Sequence, residues 1–334
     1  MVPASSFSRQ SFIEACQAVK FSYGRTIISN PKIFEQAYSR INLQKSYDMS
    51  KVQVLELYPG TGMSSYIFHE LYKPQLQVLM ESKSAYTKVI DQYLEPLGNF
   101  KLHKHDPYMW ESFISLIDEQ KILQPEVQSR DHVHDSFLVM GNLTDRRGEQ
   151  LYMQYLQCMA NKNWMQRFGL VRMLFWVPQT TAIKLLSPRD FKARSRCSVI
   201  TDAITDTRLI ATTSSNLSAF GPGVLEAHDP LLLPEDKTNY ALLEVLPLNH
   251  NMELDYWDYC LQRLMVCKST PLSDNLEVLG HGASEFLKPR LDAELLKKKP
   301  LQLTHQEFTE IASAYALWPF KPSLYDYYDQ SDDQ

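Results

Sequence analysis

A short glycine loop follows the first strongly apolar segment of this 334-residue chain. It reads Leu57-Tyr58-Pro59-Gly60-Thr61-Gly62, and glycines at such a strand end let the backbone approach a nucleoside. Glu81 closes the next apolar segment, where a carboxylate can accept hydrogen bonds from both ribose hydroxyls, and Asp106 follows the third. This order is typical of an S-adenosylmethionine pocket, whereas two glycines alone would equally fit a tight strand-to-helix turn.

Alternating strands and helices must position these residues. Apolar segments predict strands at 51–57, 76–80, 100–103, 136–140, 171–177 and 240–246. Helical patterns follow three of them, at 64–71, 84–93 and near 110–117. The alternation indicates an α/β fold with a doubly wound, mainly parallel sheet of the Rossmann-like methyltransferase type, in which the carboxyl ends of the strands share one rim.

Only helical patterns follow position 255. The clearest helix starts with a capping box from Thr304 to Glu307, and its apolar residues fall on one face. We therefore expect a methyltransferase-like α/β domain over 1–255 and a small helical domain over 256–322. Residues 323–334 combine tyrosines with aspartates and lack an apolar face, which predicts a flexible tail.

Charge and composition restrict the function. The formal net charge of −5 argues against a protein that coats duplex DNA unaided, because that affinity comes mainly from Lys and Arg. No apolar run approaches the ~20 residues that cross a bilayer, so we expect no membrane partner. Five scattered cysteines suggest neither a disulfide framework nor structural zinc. The cluster Asp131-His132-Val133-His134-Asp135 lacks an obvious additional ligand, so we expect no metal.

Six strings of unusual residues occur in one order along nearly the whole chain. They are Leu57-Tyr58-Pro59-Gly60, Asp106-Pro107-Tyr108 with Trp110, Pro125-Glu126-Val127-Gln128-Ser129 with Asp131-His132, Asn161-Lys162-Asn163-Trp164, Leu279-Gly280-His281-Gly282, and Trp318-Pro319-Phe320-Lys321-Pro322. In these strings the chain resembles the budding-yeast mitochondrial transcription factor B proteins, which descend from the ribosomal RNA adenine dimethyltransferases. The resemblance implies a factor that binds the single-subunit mitochondrial RNA polymerase, assists promoter melting and holds the displaced non-template strand.

The catalytic loop departs from the dimethyltransferase pattern. Those enzymes need Asn, a small apolar residue, Pro and an aromatic ring that stacks on the flipped adenine. This chain has Asn142-Leu143-Thr144-Asp145, and Tyr58 replaces the first glycine of the nucleotide loop. We therefore expect no catalytic residue and no cofactor. The residues that would line the vestigial pocket are Leu57, Tyr58, Gly60, Glu81, Asp106 and Asn142.

Aromatic residues flanked by positive charge are suited to holding a melted strand, because stacking on an unpaired base contributes about 1–3 kcal/mol for any base. Tyr108 and Trp110 follow the third strand on the ligand-binding rim. The resemblance implies that both contact non-template bases. The alternative for Trp110 is a buried anchor of its own helix.

Basic residues supply candidate phosphate contacts. Lys162 lies in the Asn161 to Trp164 string, and the densest basic stretch follows position 180. We predict that DNA is bound by Lys162, Lys184, Arg189, Arg194 and Arg196. The alternative for the basic stretch is a solvated charged face.

Three functions therefore remain open: a transcription initiation factor, an active ribosomal RNA adenine dimethyltransferase, and a scaffold that makes protein contacts alone. The resemblance favours the first. Its partners would be mitochondrial RNA polymerase and promoter DNA, especially the melted non-template strand, with the protein monomeric outside the complex. The expected location is mitochondrial, with the intermembrane space disfavoured. The tail beyond Ser323 would enter the polymerase cleft.

Overall fold

The computed structural model describes residues 7–235 and 237–323. Their contacts define two units. The first comprises residues up to Ala182 together with 206–217 and 225–249, and the second comprises 183–205, 218–224 and the chain from His250 onward. The helical unit is thus discontinuous in sequence, whereas the sequence pattern placed one boundary at residue 255. The tail predicted over 323–334 lies outside the described residues except for Ser323.

A mixed sheet forms the core of the first unit. Its strands are β1 (Gln53–Leu57), β2 (Leu76–Met80), β3 (Phe100–His103), β4 (Val133–Asn142), β5 (Leu170–Pro178), β6 (Thr205–Thr213), β7 (Leu231–Leu233) and β8 (Tyr240–Pro247). In the described part of the chain their order is β3-β2-β1-β4-β5-β8-β6-β7. Strands β1 to β5 pair in parallel, and β8 pairs antiparallel with β5. The predicted doubly wound, mainly parallel sheet is confirmed.

Helices cover this sheet, which is why its central strands are apolar almost throughout. The helices of the first unit are α1 (Arg9–Ala18), α2 (Pro31–Ser39), α3 (Met63–Tyr72), α4 (Ser84–Tyr93), α5 (Trp110–Ile114) and α6 (Gly148–Ala160). Helix α5 continues as a π-helix over Ser115–Glu119. Every residue of β5 before Pro178 is buried.

The strand register places the predicted pocket residues at one rim. Leu57, the last residue of β1, pairs with Met80 of β2 and Gly141 of β4, and Met80 pairs with His103 of β3. A Cβ at Gly141 would lie 2.8 Å from the carbonyl oxygen of Leu57, so this pairing requires a glycine. The segments that follow these strands therefore emerge side by side.

Strands β6 and β7 are not predicted by the sequence patterns. Strand β6 starts at Thr205, directly after a helix that ends at Ile204, with neither glycine nor proline between them. Strand β7 has only three residues. Periodicity needs a longer window and a separating turn to distinguish such segments.

Short helices form most of the second unit. Helices α7 (Gln179–Leu185) and α9 (Val224–His228) include the unit boundaries, and the others are α8 (Arg196–Ile204), α10 (Leu254–Val266), α11 (Leu272–Asn275), α12 (Ala283–Leu287), α13 (Ala293–Lys297) and α14 (His305–Ala316). The predicted capping box is confirmed, since the Glu307 N–H donates to Thr304 Oγ1 and the Thr304 N–H donates to Glu307 Oε2. Among the described helices none is long and apolar enough to cross a membrane.

Two of the six strings, Leu279 to Gly282 and Trp318 to Pro322, meet in the second unit. Gly280 has a φ of +148°, and a Cβ there would lie 2.9 Å from the Trp318 ring. The Trp318 side chain is buried. A glycine is therefore needed at 280 so that the tryptophan can pack against the backbone.

Candidate nucleic-acid interface at the rim of the sheet

The carboxylate predicted to hold a ribose is already bound by the chain itself. Arg25 Nη1 donates to Glu81 Oε2 at 2.7 Å, and Nη2 donates to Oε1 at 3.1 Å. Both side chains are buried, with exposures of 4% and 0%. The backbone N–H groups of Gly60, Ser82 and Lys83 also donate to Glu81. A carboxylate offers about four lone-pair positions, so little capacity is left for ribose hydroxyls.

Tyr58 fills the neighbouring part of the pocket. Its φ of +55° is the left-handed conformation that favours glycine. Its hydroxyl donates to Asp106 Oδ1 at 2.5 Å, and its ring centroid lies 4.8 Å from the Arg25 guanidinium carbon. Burial raises the pKa of Tyr58, so the phenol keeps the proton that it donates. The residues present do not fit S-adenosylmethionine, because the carboxylate that would hold its ribose is paired with Arg25 and the Tyr58 ring lies against that arginine.

A small cavity of about 40 Å³ remains beside these groups, far below the ~300 Å³ typical of a ligand pocket. Glu56 of β1 lines it and is 2% exposed. Within the described residues, Glu56 Oε2 has no hydrogen-bond partner. Burial raises the pKa of Glu56 to about 7 from the ordinary 4.5. The pKa of this buried acid in the predicted pocket therefore lies near neutral pH.

Glu56 gives the stability a specific pH dependence. Between about pH 4.5 and 7 the folded state keeps a proton that the unfolded state has released, so stability falls as the pH rises through this window, by about 3 kcal/mol. The variant Glu56→Gln should be more stable than wild type at pH 8 and similar to it at pH 4, as measured by urea unfolding. Exposed Glu14→Gln is the control and should leave the pH profile unchanged. Identical profiles for Glu56→Gln and wild type would contradict this assignment.

The loop after β4 is tied to the N-terminal segment. Asn142 Nδ2 donates to the Thr26 carbonyl at 3.2 Å, and the Thr26 N–H donates to Thr144 Oγ1 at 2.9 Å. Thr144 in turn donates its N–H and its hydroxyl to Asn142 Oδ1. The asparagine that would hold a target adenine is therefore occupied by the protein's own backbone and side chains.

The two predicted stacking residues lie at the rim. Tyr108 is half-buried, and its N–H donates to Asp106 Oδ1 at 3.0 Å. The guanidinium carbon of Arg147 lies 5.5 Å from the Tyr108 ring centroid. Trp110 begins α5 and is 50% exposed, so it is not the buried helix anchor that the alternative required. Tyr108 is connected to the predicted pocket, because Asp106 also accepts the Tyr58 hydroxyl.

Packing places Lys162 near the helix that carries Trp110. Trp164, two residues after Lys162, is buried and stacks on Tyr155 with ring centroids 4.2 Å apart. Its ring also packs edge-on against Phe113 of α5 at 5.4 Å, and Phe113 lies 6.4 Å from Trp110. The Phe113–Trp164 contact therefore joins the Lys162 loop to α5.

Arg194 requires a correction. It is 1% exposed, although the sequence prediction made it a phosphate contact. Its Nη1 donates to Asp202 Oδ2 at 2.9 Å and to the Ser187 carbonyl at 3.0 Å, and Nη2 donates to the Leu303 carbonyl. This guanidinium supports the interior of the second unit, so a phosphate on the surface cannot reach it.

The other residues of the basic stretch differ in exposure. Arg196 forms a bidentate pair with Asp258, at 2.8 and 2.7 Å from its Nη2, and this carboxylate offsets its charge. Lys184 and Arg189 are exposed. All three belong to the second unit, whereas Tyr108 and Trp110 belong to the first.

Arg25 is the site residue that sequence reasoning misses. It lies in an irregular segment, and no motif indicates its pairing with Glu81, 56 positions away.

The cluster from Asp131 to Asp135 does not gather into a site. His134 is buried with its Nε2 2.8 Å from the Glu126 carbonyl oxygen, and within residues 7–235 and 237–323 no group of three His, Cys, Asp or Glu could hold a metal.

The mainly parallel sheet and the glycine loop after its first strand define a methyltransferase-like fold, in which Arg25 pairs with the carboxylate beside that loop. Residues 16–313 match the family described as ribosomal RNA adenine dimethylase, and the chain belongs to that family. A dimethyladenosine transferase from Plasmodium falciparum has a TM-score of 0.52 at 13% identity, covering 84% of this chain and 94% of its own. The 23S rRNA methyltransferase ErmE gives 0.52 and 13%, covering 85% and 97%. At this identity the likeness concerns the fold alone.

Sequence relatives narrow the family further. Mitochondrial transcription factor 1 from Lachancea kluyveri is 40% identical over 321 residues, covering 94% of this chain and 95% of its own. The protein of the same name from Saccharomyces cerevisiae is 40% identical over 321 residues, covering 93% and 94%. Within the family, the chain is thus a member of the mitochondrial transcription factor 1 group, which confirms the resemblance drawn from the six strings.

Proposed function

We propose that this protein is a mitochondrial transcription initiation factor rather than an enzyme. It binds the single-subunit mitochondrial RNA polymerase, assists promoter melting and captures the non-template strand. The observation that carries this proposal is the buried Arg25–Glu81 pair, which occupies the carboxylate that a methyl-donor cofactor would need. The relatives named mitochondrial transcription factor 1 support the assignment.

Base capture would occur on Tyr108 and Trp110. Trp110 offers a half-exposed ring, and Arg147 keeps a positive charge over Tyr108. A base that leaves the duplex loses its stacking, and an aromatic ring restores about 1–3 kcal/mol of it. Because only the melted state offers such a base, this binding shifts the melting equilibrium toward the open promoter.

Electrostatics explain why a partner is needed. The chain carries 39 acidic and 34 basic residues, so it lacks the net positive field that gathers duplex DNA. Lys162 of the first unit is a candidate contact with the backbone of the captured strand, and Lys184 and Arg189 are separate candidate DNA contacts on the second unit. We infer that the polymerase supplies most of the remaining positive charge and reads the promoter sequence.

A promoter-melting assay tests the proposal. Promoter DNA with 2-aminopurine in the melted region should brighten when polymerase and this protein are both present, and remain dim with either alone. Unchanged fluorescence with both proteins would contradict the proposal. The same preparation should transfer no labelled methyl group from S-adenosylmethionine to small-subunit ribosomal RNA.

An active ribosomal RNA adenine dimethyltransferase is the second candidate, because the chain belongs to that enzyme family. The positions of Arg25, Tyr58 and Asn142 all oppose it. Each group that would hold the donor or the target adenine is hydrogen-bonded within the protein. Transfer of the labelled methyl group would restore this candidate.

A further inference from the structure

Two aromatic rings are exposed in the turn between α1 and α2. Phe21 is 70% exposed and Tyr23 is 46% exposed. Their ring centroids are 6.3 Å apart, and their planes are inclined by 36°. Neither the family match nor the proposed role of Tyr108 and Trp110 accounts for this pair. Adjacent exposed rings of this kind present apolar faces that a planar ligand can cover.

The turn that carries these rings is held in a fixed conformation. The Arg25 N–H donates to the Ser22 carbonyl at 3.0 Å, and the Tyr86 hydroxyl donates to the Phe21 carbonyl at 2.7 Å. The Tyr23 ring packs edge-on against Tyr86 with centroids 5.3 Å apart. Arg25, two residues after Tyr23, is fixed by its buried ion pair with Glu81. The rings are therefore presented by ordered backbone, which lowers the entropy lost on binding.

The segment that carries the turn is basic. Residues 15–34 contain Lys20 and Lys32 but no Asp or Glu, and the charge of the third basic residue, Arg25, is paired with Glu81. Lys83 Nζ lies 5.8 Å from the Tyr23 ring centroid. Stacking rings bordered by lysines match a ligand that has planar bases and an anionic backbone.

The turn also borders a cleft that Tyr108 lines. Tyr23 and Lys83 line this cleft of about 230 Å³ together with Tyr108 and Arg147, and all four belong to the first unit. Its lining holds more basic than acidic side chains, namely Arg25, Lys83, Arg146 and Arg147 against Asp106 and Asp145. A strand that stacks on Tyr108 can therefore continue across the cleft onto Tyr23 along a rim with an excess of basic groups.

We propose that Phe21, Tyr23 and Lys83 form a second stacking platform for unpaired DNA. The platform receives the part of the strand that extends across the cleft from Tyr108 and Trp110, with the bases on the two rings and Lys83 near a phosphate. This inference rests on the proposed function, because it assumes that a first stacking platform, Tyr108 and Trp110, holds a melted strand.

The test measures binding of a fluorescein-labelled oligo-dT 12-mer to the full chain by fluorescence anisotropy. The variant combines Phe21→Ser with Tyr23→Asn, since asparagine tolerates the positive φ of +51° at Tyr23. Loss of stacking should weaken binding about 5- to 30-fold. The conservative pair Phe21→Tyr with Tyr23→Phe should bind like wild type. Phe320→Ser, which removes an 82% exposed ring of the second unit, is the matched control and should also be unchanged.

Trp110→Ala, measured in parallel, separates the two proposals. If Trp110→Ala weakens binding and the Phe21/Tyr23 variant does not, the second platform is overturned while the proposed function stands. If neither variant weakens binding, the proposed function fails as well. If the Phe21/Tyr23 variant loses polymerase in co-sedimentation but still binds the oligonucleotide, the turn is a protein contact and the platform is overturned. Phe21→Ser alone, at a largely exposed ring, must weaken binding in the same direction with an unchanged urea midpoint.

Discussion

Arg25→Met is expected to lower the free energy of unfolding by about 3–5 kcal/mol, because removing one partner of a buried ion pair leaves the other charge uncompensated. Both side chains are almost fully buried. In the variant three backbone N–H groups would still donate to Glu81 and stabilise part of its charge. The expected loss is therefore nearer the lower limit of this range. Urea unfolding followed by tryptophan fluorescence measures it.

Arg9→Met is the matched control for this prediction. Arg9 also binds carboxylates, those of Glu35 and Glu70, but its side chain is 45% exposed. Exposed pairs contribute roughly 0–1 kcal/mol, so the urea midpoint should hardly move. The double variant Arg25→Met with Glu81→Gln should recover part of the lost stability, since the unpaired charge is gone. Equal losses for Arg25→Met and Arg9→Met would show that the buried pair does not hold the N-terminal segment.

Replacing both Tyr108 and Trp110 by alanine is expected to reduce promoter opening at least about 30-fold. Each stacked base contributes about 1–3 kcal/mol, and 1.4 kcal/mol corresponds to a tenfold change in an equilibrium constant. The measurement is the 2-aminopurine fluorescence of the melted region in the complete polymerase complex. Polymerase binding, measured separately by co-sedimentation, should be unchanged, because the lost interaction exists only with open DNA.

Met109 provides the control for this pair. It lies between the two rings in sequence and is 52% exposed, so Met109→Ala removes a comparable exposed side chain without a stacking face. Promoter opening should remain near the wild-type level. The conservative variant Tyr108→Phe with Trp110→Phe should keep most of the opening activity, since both rings remain. If Met109→Ala reduces opening as much as the alanine pair, capture by stacking is refuted.

The two predictions concern adjacent parts of one rim. The Arg25–Glu81 pair fixes the segment that closes the old nucleotide pocket, and Tyr108 follows Asp106, whose carboxylate accepts the Tyr58 hydroxyl and the Tyr108 N–H. One carboxylate thus joins the residue that fills the pocket to a residue proposed to bind DNA. The contacts of Asp106 thus let the residues of the predicted cofactor pocket support a surface proposed to bind a DNA strand.

Much of the fold follows from the sequence because its signals are local. Apolar runs separated by loops gave six of the strands, and the Thr304 to Glu307 box gave the start of α14. The short β7 and the abrupt passage from α8 to β6 lack such signals. The assignment of 183–205 to the second unit also lacks a local signal, because this segment joins that unit through long-range contacts such as Arg194 with Leu303.

Periodicity and residue type are properties of short segments, so the sheet, its rim and the tyrosine at position 58 of the glycine loop can be predicted from the sequence. Which charged and aromatic side chains meet cannot, because burial and pairing depend on groups that are distant in sequence. The fold brings Arg25 to Glu81, buries Arg194 and leaves Trp110 exposed. No local pattern specifies these arrangements.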